Sequence, residues 1–195
     1  MKKLLLAAVF ALAAVAMVVT VATAKNGNGH RGNGGLHGHL NGYQEVPPVS
    51  TVARGDIKLK ISSDSIEYRL RYDGLEAGVL FAHIHFGQTK VNGGVVAFLC
   101  GGGGKPACPQ SGTVTGTIVP GDIVGPKAQG IDPDVVGPEA EQAEFDEAVR
   151  AIKHGLTYAN VHTEKFESGE IRGQIDGRGN GHHKGFGRGH DKDND

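Results

Sequence analysis

Ile57-Lys58-Leu59-Lys60-Ile61-Ser62-Ser63-Asp64-Ser65-Ile66-Glu67-Tyr68-Arg69-Leu70-Arg71-Tyr72 alternates apolar and charged residues on both sides of a short polar break. Ile57, Leu59 and Ile61 flank Lys58 and Lys60, while Ile66, Tyr68, Leu70 and Tyr72 flank Glu67, Arg69 and Arg71. Successive side chains of a strand point to opposite faces, so this period of two predicts two strands, each with one buried and one wet face. Ser62-Ser63-Asp64 supplies the turn between them, and Asp73-Gly74 the turn after the second.

Working outward, further strands are expected at 80–86 (LFAHIHF), 95–99 (VVAFL), 113–119 (TVTGTIV), 157–163 (TYANVHT) and 170–176 (EIRGQID). One stretch departs from the pattern. Pro138-Glu139 opens it, Phe145, Val149 and Ile152 recur at helical spacing, and Gly155 closes it after Lys153 and His154. The segment 120–138 ahead of it is rich in Pro, Gly and Asp and reads as a long loop. Short strands with one helical excursion (about 138–154) argue a mainly β fold, an antiparallel β-sandwich or a barrel-like Greek key.

Composition narrows the function classes. The 195 residues carry 20 Lys+Arg against 21 Asp+Glu, a formal net charge of −1, so the basic footprint of a nucleic-acid binder is missing. The 32 glycines lack the three-residue period of collagen. Lys2 and Lys3 precede an apolar run from Leu4 to about Val21, and Ala22-Thr23-Ala24 follows with small residues, the pattern of a signal peptide over 1–24. The apolar run is also long enough to be retained as an anchor. Residues 25–38 and 177–195 share an Arg-Gly-Asn-Gly run and scattered histidines, and both read as Gly/His-rich flexible tails around a core domain, 39–176. The expected location is therefore secreted or cell-envelope, with no membrane contact once the leader is cleaved.

In an oxidising compartment Cys100 and Cys108, separated by Gly-Gly-Gly-Gly-Lys-Pro-Ala, are expected to form a disulfide. Their spacing matches none of the tight metal-binding or redox motifs.

His83-Ile84-His85 is the sharpest chemical feature. On a strand both imidazoles share a face, and Tyr158, Asn160 and His162 share a face of another. If those strands are neighbours, three imidazoles converge and leave a coordination position open, an arrangement that suits copper or zinc. The competing reading is a solvated strand face that happens to carry histidines. Glu45 precedes the rigid Val46-Pro47-Pro48, and Glu170 shares a strand face with Arg172, so an ion pair or a link to Glu45 is their expected structural role. No nucleophile elbow, phosphate loop or Cys–His pairing is present, and Gly101 to Gly104 matches no nucleotide fingerprint.

Four segments, Leu40-Asn41-Gly42-Tyr43-Gln44-Glu45-Val46-Pro47-Pro48, Ala82-His83-Ile84-His85-Phe86-Gly87, Tyr158-Ala159-Asn160-Val161-His162-Thr163 and Gly169-Glu170-Ile171-Arg172-Gly173-Gln174-Ile175, resemble the CHRD domain, the module named after chordin. The resemblance spans almost the whole core and implies an extracellular β-rich module that binds a partner, an unknown protein or a surface polymer. A weaker resemblance is to Cu/Zn superoxide dismutase, in which a His-X-His strand and a late histidine hold copper; His83, His85 and His162 match those three positions. The bridging histidine and the zinc cluster have no counterpart here, since no His or Asp follows Gly87 before Asp122. The resemblances imply a non-enzymatic binding module with a metal, copper more than zinc, held by the three histidines. The alternative is a mononuclear copper redox protein.

Overall fold

A computed structural model describes residues 35–177. The expected leader over 1–24, residues 25–34 of the first tail and, Gly177 apart, the second tail lie outside the described residues.

Alternation builds the strands. Among the described residues β1 (Leu36–Asn41), β2 (Arg54–Ile61), β3 (Ile66–Asp73), β4 (Val79–Phe86), β5 (Gly94–Cys100), β6 (Gly112–Ile118), β7 (Thr157–Thr163) and β8 (Ile171–Ile175) form one sheet in the order β5-β4-β7-β8-β1-β2-β3-β6. Every neighbouring pair is antiparallel. The edge strands β5 and β6 come into contact, so the sheet curls into a nearly closed barrel. The Tyr68 hydroxyl donates across this seam to the Leu99 carbonyl at 2.7 Å, and the Tyr72 hydroxyl to that of Pro109 at 2.6 Å. The Cys100–Cys108 disulfide, with Cα atoms 5.1 Å apart, ties the end of β5 to the segment leading into β6.

Leu40, Ile57, Leu59, Ile66, Leu70, Ile84, Val161, Ile171 and Ile175 point inward and are buried. α1 (Pro138–Lys153) adds Phe145, Val149 and Ile152 to the same apolar cluster. Pro138 opens the helix, Glu139 and Glu141 sit near its positive end, Arg150 and Lys153 near its negative end, and Gly155, at φ +70°, ends it. No described helix is long and apolar enough to cross a membrane.

β1 corrects the sequence reading. The first tail was expected to run through Gly38, yet Leu36, His37 and Gly38 are in the sheet, and His37 and Asp176 exchange backbone hydrogen bonds at 3.0 Å. Gly38 is needed where it stands, because a Cβ there would lie 2.5 Å from the Gln174 carbonyl oxygen.

Candidate metal centre

β4 and β7 lie side by side in a register that sets Phe81 opposite His162, His83 opposite Asn160 and His85 opposite Tyr158. Ala82 and Ile84 turn into the barrel, so alternation sends His83 and His85 to the outer face, where His162 also lies. That face is not wet. His83, His85 and His162 are only 5%, 9% and 7% exposed, and all seven residues of β7 are buried. The segments carrying Glu45, Asn92–Gly93 and Glu167–Gly169 close over it and bond to its side chains.

One nitrogen from each of the three imidazoles falls within a cluster whose members all lie within 4.8 Å of one another. His85 Nδ1 donates to the Gly93 carbonyl at 3.0 Å and His162 Nδ1 to that of Glu167 at 2.8 Å. A carbonyl can only accept, so both rings carry the proton on Nδ1 and present a bare Nε2. This is how metal-ligating histidines are oriented, with the far N–H held by a backbone carbonyl. His83 Nδ1 lies 3.3 Å from His162 Nε2. Two ligands about 2.0–2.1 Å from one ion at a tetrahedral angle would be roughly 3.3 Å apart. The Nε2 atoms of His83 and His85 are buried with no hydrogen-bond partner.

Burial, reinforced by the neighbouring imidazoles, depresses the His83 pKa to about 3. Burial also takes His85 down to about 4, against the pull of the Gly93 carbonyl, and lowers His162. All three are therefore neutral, the form a metal requires.

The wall of the site is aromatic. The Phe98 and Phe81 ring centroids lie 4.4 and 4.8 Å from that of His83. A Cβ on Gly102 or Gly103 would come within 2.4 or 2.7 Å of the Phe98 ring, so the glycine run between the cysteines lies flat against this wall. On the other side Tyr158 stacks on His85 at 4.8 Å, and the Arg172 guanidinium sits 3.5 Å above the Tyr158 ring centre.

The acids serve the scaffold. The ion pair expected between Glu170 and Arg172 is not formed. Glu170 accepts from the hydroxyls of Thr51 (2.8 Å) and Thr163 (2.9 Å) and from the Glu76 backbone N–H, pinning three segments together. Arg172 donates to Asn92 Oδ1 at 2.9 Å and to the Val91 carbonyl, holding the β4–β5 loop that carries Gly93. The Arg172 guanidinium is instead held over the Tyr158 ring and by the β4–β5 loop. Glu45 accepts from Asn160 Nδ2 at 2.6 Å, and burial raises its pKa to about 7 although the Arg172 charge opposes this.

Sequence reasoning missed the orienting carbonyls of Gly93 and Glu167 and the rings of Phe81 and Phe98. Phe81 was legible, two residues before His83 on the same strand. The others depend on loop placement and on the β4–β5 pairing, whose register shifts on either side of His83 and Ile84.

A family model described as the CHRD domain matches residues 36–175. No match was found among curated proteins or solved structures.

Proposed function

The chain belongs to the CHRD-domain family, and on that premise we propose that it is an exported binding module that holds one transition-metal ion, copper above zinc, between His83, His85 and His162. The observation that carries this reading is the convergence of one nitrogen from each of three buried imidazoles, with His85 Nε2 buried and without a hydrogen-bond partner. A buried polar atom without a partner is costly, and an ion between the three rings is the group that would satisfy it. Three neutral imidazoles favour Cu(II) over Zn(II) by intrinsic affinity order. Export is supported by the leader-like N-terminus and by the disulfide. A redox role for the ion is the second reading, favoured because three protein ligands leave a coordination position open.

The test is a copper titration of the full chain beside His83→Ala, His85→Ala and His162→Ala. The seven other histidines remain in every variant, so the informative quantity is the difference from the parent. The parent should hold one tight equivalent more than each variant. It should also keep that ion well below pH 6.5, where three solvated imidazoles would already release it, because protons compete poorly for His83 and His85. Folded variants that retain as much tightly held copper as the parent reject the reading.

A further inference from the structure

The outward residues of β2 and β3 face each other in the pairs Arg54–Asp73, Asp56–Arg71, Lys58–Arg69 and Lys60–Glu67. Opposite charges set across a ladder support it, and like charges placed directly opposite are destabilising. Lys60 reaches Glu67 at 3.2 Å and Arg54 reaches Asp73 at 3.3 Å. The Lys58–Arg69 rung alone sets like charges together. Lys58, Arg69 and Arg71 are exposed and their side chains make no hydrogen bond or ion pair among the described residues, while Asp56, opposite Arg71, is engaged by His39.

The uncompensated rung belongs to a row crossing four strands, His37, Lys58, Arg69 and Thr115. A groove of about 300 Å³ is lined by His39, Asp56, Lys58, Arg69 and Arg71. Thr113, Thr115 and Thr117 of β6 are exposed on the same face. No Phe, Tyr or Trp is among the outward residues of these strands.

We infer that the outer face of β1, β2, β3 and β6 is a docking surface for an acidic polysaccharide, with Lys58, Arg69 and Arg71 neutralising the carboxylates of a uronic-acid chain. Three cations without partners on a protein of net charge −1 supply the charge complementarity. Guanidinium forks match carboxylates, and the strand spacing of about 4.8 Å sets Lys58 and Arg69 roughly one sugar ring apart. The threonine hydroxyls can exchange hydrogen bonds with sugar hydroxyls. Without aromatic rings the face lacks the stacking platform that single-stranded nucleic acid needs. The surface uses none of the three clustered histidines, so it stands or falls apart from the metal reading.

Metal-free full-length protein should be titrated calorimetrically with oligogalacturonate at low and moderate salt, with dextran and duplex DNA in parallel. Oligogalacturonate should bind and weaken as salt rises, and dextran should not bind. The double variant Lys58→Gln/Arg69→Gln should bind roughly tenfold more weakly. Its Tm should hold or rise by roughly 1–3 °C, because a like-charge contact has been removed. Lys60→Gln, from a compensated rung, should weaken binding less than the double variant does. The inference is overturned if oligogalacturonate does not bind, if dextran binds equally, or if the double variant binds as the parent does. A fall in its Tm makes Lys58 and Arg69 structural, and tighter binding of DNA than of oligogalacturonate assigns the face to nucleic acid; either result also overturns it.

Discussion

Glu45 shows how one buried carboxyl can be both structural and a burden. It accepts from Asn160, the cross-strand neighbour of His83, and so links the segment after β1 to the histidine face. Burial outweighs the Arg172 charge and raises its pKa from 4.5 to about 7. Between those values the folded state keeps a proton that the unfolded state has lost, so this group's contribution to stability falls as pH rises from 4.5 through 7. Glu45→Gln keeps an acceptor for Asn160 and never ionises. Parent and variant should therefore be about equally stable near pH 4.5. At pH 8 the variant should be more stable, by up to about 3 kcal/mol. Urea midpoints at the two pH values decide it. A variant that is weaker at pH 8 would mean that attraction to Arg172 exceeds the cost of burying the charge.

At the scale of elements, the bend of the sheet depends on three inward-facing glycines. A Cβ on Gly38, Gly55 or Gly173 would lie 2.5, 2.7 or 2.3 Å from a carbonyl oxygen of the neighbouring strand. Backbone cannot give way as a flexible side chain can, so Gly173→Ala must push β8 away from β1, at an expected cost of roughly 2–4 kcal/mol. A change in unfolding free energy below about 0.5 kcal/mol, the size of an ordinary surface substitution, would show that the close approach is not required. The same glycines limit what could be read in advance. β2 and β3 were plain because each alternates over seven or eight residues with charges on one side. β1 was hidden because Leu36-His37-Gly38-His39-Leu40 sits in glycine-rich sequence and has no bulky apolar residue between its two leucines. The sharing of a face by His83 and His85 follows from local alternation. The pairing of β4 with β7, which adds His162, is set by contacts between residues far apart in the chain. The covering of that face by loops left no periodic signal.

For the molecule as a whole, the histidine cluster sets the acid limit of the metal-free fold. An unfolded histidine takes up a proton near pH 6.5, while in the folded protein His83 waits until about 3, His85 until about 4, and His162 is also depressed. Below pH 6.5 the unfolded state therefore binds protons that the folded state refuses. The stability these groups allow is complete above 6.5 and is lost as pH falls toward the folded values. Each such group contributes roughly 1.4 kcal/mol per pH unit, and Glu45 acts in the opposite sense between 4.5 and about 7. His83 and His85 against Glu45 leave an uptake of about one proton on unfolding near pH 5.5, a loss of roughly 1–1.5 kcal/mol per unit, to which His162 adds in the same direction. Set against a typical domain stability of about 5–15 kcal/mol, that slope removes a large share of the metal-free protein's stability before the pKa of His83 is reached. Urea unfolding at pH 7, 6 and 5, with proton uptake measured calorimetrically in buffers of different ionisation heat, tests the slope directly. Stability that rises from pH 7 to pH 5, the effect of Glu45 alone, would mean that the three imidazoles are protonated in the folded state, and a cluster that accepts protons so readily could not be the dry, neutral cage that the geometry describes.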